Sequence, residues 1–266
     1  MSKSLKLLEA HIGLPLFNRT TRQLELTEAG ERLLEGTREA VQSLQYALES
    51  VQDMRHVPAG QVRITVARFA YQCILKPWMN AFCQRYPQLE LEISIDDGEV
   101  DLLADGYDLG IRFGDHLQEG MIARQLLAPF KEGLYVSAGY AEGHGLPQTP
   151  EELPRHRLIG YRFITARRIL PLILNHQGEE FTVQMPHSII TNDIEVIADG
   201  VRQHLGIGRL FEPVHARLPD RDGFIPVLEP YWRRYPGVYL YYLQNSQKAG
   251  RIRTVIDFLL EKSGSG

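Results

Sequence analysis

The spacing of apolar positions predicts three short elements and then a long helix at the amino-terminal end. Residues 2–12 place apolar side chains at helical intervals, and a glycine and a proline follow where that helix would end. Residues 16–18 (LFN), the polar segment 19–22 and residues 23–26 (QLEL), which alternate with period two, predict a small hairpin with a polar tip. Thr27 can cap a long helix that ends at a linker at residues 57–60.

The long helix carries a repeat of small and apolar residues at alternating intervals of four and three. Such a repeat is typical of a helix that packs along a second helix. Because the rest of the helix is mostly polar, we expect a second copy of the chain to supply that helix. Packing of the repeat on the chain's own body is the alternative. The repeat consists of Leu33, Thr37, Ala40, Leu44, Ala47, Val51 and Met54.

From residue 61 onward, strand-like and helical patterns alternate in two units of similar size. Pro77 is expected near the first turn of a helix, where amides lack acceptors within the helix. The order is typical of a largely parallel sheet covered on both faces, so the predicted fold class is α/β. The predicted strands and helices cover residues 62–66, 74–82, 89–96, 100–104, 109–112, 134–136, 158–161, 169–174, 180–184, 188–191, 193–204, 238–243 and 252–260.

Charge is distributed unevenly along a chain of ordinary composition. With 44% hydrophobic and 23% charged residues, the 266-residue chain is typical of a folded protein of about two domains. Its net charge is −4, which excludes a bulk polybasic binder. The first 22 residues are nevertheless basic, which favours contact of that end with a polyanion, although a solvated helix face and a charged turn explain it equally well. Their basic residues are Lys3, Lys6, Arg19 and Arg22.

Motifs of enzyme chemistry are mostly absent. The sequence has no GxSxG, HExxH, P-loop or CxxC motif, and its histidines form no recognisable ligand pairs. Residues 206–208 (GIG) are explained by close packing of a strand on a helix, and Cys73 by burial as a small apolar residue. We therefore expect no enzymatic activity, no cofactor and no metal. No signal sequence or apolar run of membrane-spanning length occurs, so we expect a cytoplasmic protein.

Several segments, in order, give the chain a family resemblance. Residues 2–9 (SKSLKLLE), 13–19 (GLPLFNR) and 26–30 (LTEAG) resemble the DNA-binding end of LysR-type transcriptional regulators. The resemblance continues through residues 111–114 (IRFG), 191–193 (TND), 206–208 and 256–259 (IDFL). Each fragment alone is weak, but together and in this order they are specific.

The resemblance implies a remnant of a winged helix, a long linker helix and a two-subdomain effector-binding domain of periplasmic-binding-protein type. In the family, two helices precede the recognition helix, whereas this chain begins within the segment that resembles it. We therefore expect a truncated winged helix-turn-helix that binds double-stranded DNA only non-specifically, in a homodimer or homotetramer. The expected domains are residues 1–26, 27–60 and 61–266, the last divided into a first subdomain (61–135 with 237–266) and a second (136–236). The expected DNA contacts are Ser2, Lys3 and Lys6 on the recognition helix and Arg19, Thr20, Thr21 and Arg22 in the wing.

In open α/β sheets, ligands bind beyond the carboxyl ends of the strands, and this rule selects the candidate effector site. Two arginines among aromatic rings suit a small carboxylate. The alternative is that the arginines pair with Asp193 or another acid and bind nothing. Residues 67–70 (ARFA) also lack the serine or threonine that many family members have after the first strand. The candidate effector-binding residues are Arg68, Phe69, Gln72, Arg112, Phe113, Tyr161, Phe163, Thr191, Asn192, Asp193, Ile207 and Gly208.

Two other classes of function compete with an effector-controlled regulator. A stand-alone small-molecule binding protein of the same two-lobed fold is the first, and a lack of specific DNA binding would favour it. An enzyme on the same fold is the second, and it would be revealed by turnover, although no acid–base pair in the sequence indicates one.

Overall fold

The structure is a computed structural model that describes residues 3–19, 24–53, 57–98, 100–114, 121–163 and 168–264. Helix α1 (Lys3–Ile12) is followed by the antiparallel strands β1 (Phe17–Arg19) and β2 (Leu24–Leu26). These elements confirm the predicted helix and hairpin. The tip of the hairpin lies outside the described residues.

Helix α2 (Glu28–Asp53) begins at the predicted cap. The Thr27 Oγ1 atom accepts a hydrogen bond from the Gly30 amide at 3.1 Å and donates one to the Pro15 carbonyl at 2.7 Å. A side chain at residue 30 would collide with the Leu16 carbonyl, since a Cβ there would lie 2.2 Å from that oxygen. The start of α2 is therefore fixed on the segment before the hairpin.

The exposed apolar stripe of α2 differs from the predicted repeat. Its members are Leu34, Val41, Leu44, Leu48 and Val51. Only two of them belong to the repeat predicted from sequence, and Leu33, Thr37 and Ala47 are half-buried instead. The reason is that Tyr46, only 2% exposed, fixes the face of α2 that packs on the body, which rotates the outward face by one position. Met54 lies outside the described residues.

The first α/β unit is built on a five-stranded sheet in the order β4-β3-β5-β16-β6. β3 is parallel to β4 and β5, whereas β16 is antiparallel to β5 and β6, so the sheet is mixed. Its strands are β3 (Gly60–Val66), β4 (Leu89–Ile95), β5 (Leu109–Phe113), β6 (Met121–Leu127) and β16 (Val238–Leu243). Its helices are α3 (Arg68–Ala70), α4 (Met79–Arg85), α5 (Leu102–Asp105) and α9 (Gly250–Ser263).

The helical segment after β3 begins earlier than predicted. It runs from α3 through a π-helical turn (Tyr71–Leu75) and a 3-10 turn (Lys76–Trp78) into α4. Pro77 therefore lies in its middle and not in its first turn. Because proline has no N–H to donate and its ring crowds the preceding turn, the regular α-helical pattern is interrupted there.

The second α/β unit is built around β7 (Phe130–Val136), which pairs with β13, β14 and β15, while β8 pairs with β12 and β9. A separate hairpin is formed by β10 and β11. The other strands are β8 (Leu158–Phe163), β9 (Arg168–Ile169), β10 (Leu172–His176), β11 (Glu179–Val183), β12 (His187–Thr191), β13 (Gly208–Phe211), β14 (Ile225–Val227) and β15 (Arg233–Tyr235). The helices are α6 (Ala138–His144), α7 (Ile194–Arg202) and α8 (Glu212–His215).

The first unit is called subdomain I and the second is called subdomain II. The chain crosses from subdomain I to subdomain II at residues 128–129 and returns at residues 236–237. β6 belongs to the first sheet, and within the described residues β7 pairs with strands of subdomain II, so the first crossing precedes β7. The return crossing lies between β15 and β16.

Aromatic rings fill the junction between the subdomains. Phe69 and Phe113 stack with ring centroids 4.5 Å apart, and three further rings pack around them. Those rings are Phe130, Phe211 and Tyr235. The two crossings therefore run beside a buried apolar junction. Among the described residues, no helix combines the length and apolar character that a membrane crossing requires.

Candidate functional site

The carboxyl ends of strands from both subdomains face one another across a cleft. Arg68 begins α3 immediately after β3, and Asp97 follows β4. Tyr161 lies near the end of β8, and Asp193 follows β12. The topology therefore brings these strand ends together at the place where open α/β sheets bind ligands, and the region between them is called the cleft.

Three polar contacts join the two walls of this cleft. The Arg68 Nη1 atom lies 3.4 Å from Asp193 Oδ2. The Tyr161 hydroxyl donates to Asp97 Oδ2 at 2.8 Å, and the Gln72 amide donates to Glu195 Oε1 at 2.9 Å. Arg68 thus pairs with an acid of the opposite wall, which is the alternative that the sequence left open for it. Burial and the charge of Asp97 raise the pKa of Tyr161, so its hydroxyl stays protonated and donates.

Thr191 and Asp193 also have a local structural role. The Asp193 carboxylate caps α7 by accepting the Glu195 amide at 2.8 Å, and Thr191 Oγ1 accepts the Asp193 amide at 3.0 Å. These bonds orient the carboxylate that meets Arg68. Asn192, between them, is exposed.

Arg112 is buried near the carboxyl end of β5 with neutral hydrogen-bond partners. It is 6% exposed, and its two terminal nitrogens donate to Thr65 Oγ1 at 2.8 Å and to the Ile111 carbonyl at 3.0 Å. Among the described residues, no carboxylate lies within ion-pair distance of it. Burial lowers the pKa of Arg112, although Asp96 and Asp97 act in the opposite direction through their charge.

The predicted aromatic residues divide into two groups. Phe69 is 5% exposed and stacks on Phe113 within the apolar junction, so both rings belong to the core between the subdomains. Phe163 is half-buried and meets the ring of Tyr161 edge to face, with centroids 5.5 Å apart. Of the predicted rings, Tyr161 and Phe163 are therefore the ones at the end of a strand on the cleft wall.

Ile207 and Gly208 have structural roles in subdomain II. The Ile207 amide donates to the Arg157 carbonyl at 2.8 Å, and its carbonyl accepts the Ile159 amide at 2.9 Å. A Cβ at residue 208 would lie 2.3 Å from the Cγ2 atom of Val201 in α7. The glycine is thus explained by close packing of β13 on α7, and both backbone polar groups of Ile207 already form hydrogen bonds within the fold.

Three contributors to the cleft were missed at the sequence level. Asp97 directly follows β4, so the strand-end rule that selected Arg68 would also have selected it. Glu195 lies in the first turn of α7, beyond the chosen strand end. No sequence signal distinguishes Thr65, because its contact with Arg112 depends on the pairing of β3 with β5.

The candidate DNA contacts are only partly described by the structure. Lys3 and Lys6 are exposed on α1, a helix in which no residue is buried. Arg19 lies in β1, but its side chain is not described. Ser2, Thr20, Thr21 and Arg22 lie outside the described residues.

Two known families match along the chain. Residues 55–264 match the LysR substrate binding domain. Residues 1–31 match the bacterial regulatory helix-turn-helix protein of the lysR family. Most of α2 lies between the two matched segments.

Known proteins are similar to nearly the whole chain. The probable HTH-type transcriptional regulator LtrA of Klebsiella pneumoniae is 30% identical over 266 residues, which cover 98% of this chain and 84% of LtrA. The uncharacterized HTH-type transcriptional regulator YcaN of Escherichia coli (strain K12) is 29% identical over 259 residues, covering 97% of this chain and 84% of YcaN.

Solved structures of similar length share the fold. CrgA, a LysR-type transcriptional regulator from Neisseria meningitidis, superposes with a TM-score of 0.69 at 25% identity, covering 98% of this chain and 87% of CrgA. The Vibrio cholerae virulence activator AphB gives a TM-score of 0.67 at 25% identity, covering 96% of this chain and 87% of AphB.

Proposed function

This chain belongs to the LysR family of transcriptional regulators, and we propose that it controls transcription in response to a small carboxylate bound in the cleft between its subdomains. In this proposal, the effector favours one arrangement of the subdomains and thereby one arrangement of the DNA-binding ends. The protein catalyses no reaction and acts in the cytoplasm, where a regulator meets its DNA.

The observation that carries the proposal is the buried guanidinium of Arg112. A buried charge is ordinarily paired, because moving an ion out of water is costly. Arg112 has only neutral hydrogen-bond partners among the described residues and lies near a strand end that faces the cleft. A bound carboxylate can supply the countercharge that no described residue provides, through two parallel hydrogen bonds.

A thermal-shift experiment tests this role of Arg112. The protein is melted with and without sodium benzoate and sodium succinate. A ligand at 100 times its Kd adds about 2.7 kcal/mol of stability, a clear rise in Tm. We expect Arg112→Ala to remain folded and to lose that rise. Arg253→Ala, which removes an arginine that is 73% exposed on α9, should retain it.

Two outcomes would count against this site. An unchanged ligand-induced shift in Arg112→Ala would remove Arg112 from the binding site. Absence of any shift in the wild-type protein with a wider set of aliphatic and aromatic acids would reject the carboxylate class.

Arg68 is proposed as a secondary contact. Its pair with Asp193 is substantially exposed, with 39% and 30% of the two side chains accessible. Such pairs contribute little net free energy, so an incoming carboxylate can replace Asp193 at small cost. We therefore expect Arg68→Ala to weaken effector binding without abolishing it.

The structure also favours weak DNA binding by this polypeptide. No residue of α1 is buried, and Leu7 and Leu8 are 63% and 40% exposed. No described element therefore packs over these side chains to fix the orientation of α1 in a DNA groove. We expect non-specific affinity of roughly 10⁻⁴–10⁻⁶ M at physiological salt. Tight, sequence-selective binding in a salt-controlled shift assay would contradict this. Weak binding together with effector binding would favour the alternative, a stand-alone small-molecule binding protein.

The apolar stripe of α2 supports self-association. Its five exposed side chains repeat at the intervals of a coiled-coil seam, and a second copy of α2 is the surface that fits it. We expect a homodimer or homotetramer in solution. Leu44→Glu should shift the mass measured by light scattering toward the monomer, whereas Gln45→Glu, beside it on the helix, should not. A monomeric wild-type protein at high concentration would contradict the proposal.

A further inference from the structure

Asp97, just beyond the end of β4, is a half-buried carboxylate that is held by neutral donors. Its Oδ1 atom accepts a hydrogen bond from the Arg68 amide at 2.9 Å, and its Oδ2 atom accepts one from the Tyr161 hydroxyl at 2.8 Å. Among the described residues, no lysine, arginine or histidine side chain lies within ion-pair distance of it. A carboxylate has about four lone-pair sites, so Asp97 can accept further hydrogen bonds from a ligand.

Asp97 and Arg112 stand at the ends of strands that lie on either side of β3 in the sheet. Ile95 of β4 and Ile111 of β5 both pair with Val66 of β3, so the ends of the two outer strands are level with each other. Neighbouring strands are nearly 5 Å apart, which places β4 about 10 Å from β5. Two opposite charges, each with neutral hydrogen-bond partners, therefore face the same edge of the sheet.

The negative charge beside Arg112 disfavours a ligand that carries a carboxylate alone. Burial lowers the pKa of Arg112, and the charges of Asp96 and Asp97 act in the opposite direction, so both carboxylates lie close enough to affect it. Asp96 is exposed and accepts the Gly98 amide at 2.7 Å. A carboxylate that binds Arg112 is repelled by these two groups. A positive charge on the same ligand, placed at Asp97, would turn that repulsion into attraction.

We propose that the effector is an amino carboxylate, a molecule with one carboxylate and one protonated amine, whose carboxylate binds Arg112 and whose amine binds Asp97. The inference rests on the proposed function and narrows its class of ligand. Asp97 is a specificity-determining residue in this scheme, because its charge favours the amino form and opposes the plain carboxylate. Its hydrogen bonds with the Arg68 amide and the Tyr161 hydroxyl hold the carboxylate in place.

Matched pairs of ligands test the proposal on the wild-type protein. Each pair shares one chain length and differs by a terminal amine: acetate and glycine, propionate and 3-aminopropionate, butyrate and 4-aminobutyrate, valerate and 5-aminovalerate. Apparent Kd values are obtained at pH 7 from the rise in Tm of the full chain with ligand concentration. In the pair whose length fits the cleft, we expect the amino form to bind at least tenfold more tightly. Binding of the plain carboxylate as tightly as the amino form in every pair would overturn the inference.

Asp97→Asn removes the charge and keeps the shape of the side chain. Its oxygen can still accept the Arg68 amide, and its NH₂ group can donate to the Tyr161 hydroxyl. The preference for the amino form should disappear, and the plain carboxylate should bind at least as tightly as it does to the wild type. Asp222→Asn, which changes a fully exposed side chain in the turn before β14, should keep the preference. An unchanged preference in folded Asp97→Asn would overturn the inference.

A third ligand of the same length makes the test independent of whether a variant folds. The hydroxy acid with a hydroxyl group in place of the amine can donate a hydrogen bond but carries no positive charge. We expect its apparent Kd for the wild-type protein to lie within about threefold of that of the plain carboxylate, since a neutral hydrogen bond is weaker than a charged one. If the hydroxy acid binds as tightly as the amino form, the positive charge is not recognised and the inference is overturned.

Failure of the proposed function gives a different pattern. If no carboxylate raises the Tm, with or without an amine, the carboxylate effector is rejected and the inference is rejected with it. If benzoate or succinate raises the Tm but no amino form exceeds its plain partner, the proposed function stands and the inference alone is overturned. In Arg112→Ala, both members of each pair should lose their effect on the Tm, because the carboxylate that they share is the group that binds Arg112.

Discussion

Two buried arginines on strands, one in each subdomain, differ in how their charge is balanced. Arg209 of β13 is 3% exposed and lies 2.8 Å from Glu132 of β7. Its other terminal nitrogen donates to the carbonyls of Leu170 and Pro171. Arg112 of β5 is 6% exposed, and its partners are a hydroxyl and a carbonyl. The two side chains are almost equally buried, and they differ in whether a described carboxylate pairs with the guanidinium.

The pKa shifts follow the same division. Burial disfavours the charge of both arginines. At Arg209 the charge and hydrogen bond of Glu132 outweigh burial, and the pKa is raised. At Arg112 burial prevails, and the pKa is lowered. Within the described residues, the fold therefore supplies a countercharge to Arg209 and none to Arg112, which is the basis for proposing an anion as a partner of Arg112.

The same substitution at both arginines gives the largest expected contrast. Arg209→Met leaves Glu132 buried without its ion-pair partner, which should cost about 3–5 kcal/mol in the free energy of unfolding. Arg112→Met leaves no described carboxylate without a partner and removes a buried cation, so its cost should be about 1 kcal/mol or less. Urea unfolding followed by circular dichroism measures both values.

The interpretation would be wrong if the two losses were equal. A large loss at Arg112 would mean that it stabilises the fold through a partner other than the Thr65 hydroxyl and the Ile111 carbonyl. An exposed pair provides a further control. Glu261→Gln removes the partner of Arg85 on the surface, and it should leave the urea midpoint unchanged.

The second prediction distinguishes the net contribution of the Arg209–Glu132 pair to the free energy of unfolding from the cost of removing one partner alone. A buried ion pair can often be replaced by apolar residues with little loss, because both desolvation costs disappear together. Arg209→Met with Glu132→Leu should therefore recover about 2 kcal/mol or more of the loss seen in Arg209→Met alone. Additive losses in the double variant would show instead that Glu132 is required by Tyr235, whose hydroxyl donates to it at 3.4 Å.

The sequence predicted the strand-end positions of the cleft but not the partners of its charges. Arg68 and Arg112 look alike in the sequence, since each follows a strand-like run. The structure pairs Arg68 with Asp193 from the other subdomain and gives Arg112 only neutral partners among the described residues. That difference depends on which side of a strand a residue faces and on contacts over long sequence separations, which a local pattern does not encode.

Prediction of the strands and helices from the sequence was limited in a similar way. Strands and helices with strong periodicity were predicted well, including the hairpin of β1 and β2 and the helix α7. The predicted apolar repeat of α2 differs from the observed exposed stripe by one position along part of the helix. The reason is that a single buried tyrosine, Tyr46, sets which side of this mostly polar helix packs on the body. Strand β6 was missed, since its sequence MIARQLL does not alternate apolar and polar residues and it pairs with β16 across more than a hundred residues.

The smallest predicted effect concerns the exposed ion pair across the cleft. Asp193→Asn removes the charge that meets Arg68 but keeps an oxygen that can accept the Glu195 amide at the start of α7. We expect a loss of at most about 1 kcal/mol, as for other solvent-exposed pairs. Asp193→Ala also removes the helix cap and should cost about 1 kcal/mol more. Equal losses in the two variants would assign the stabilising role of Asp193 to its ion pair with Arg68 and would make Arg68, like Arg209, an arginine whose carboxylate partner stabilises the fold.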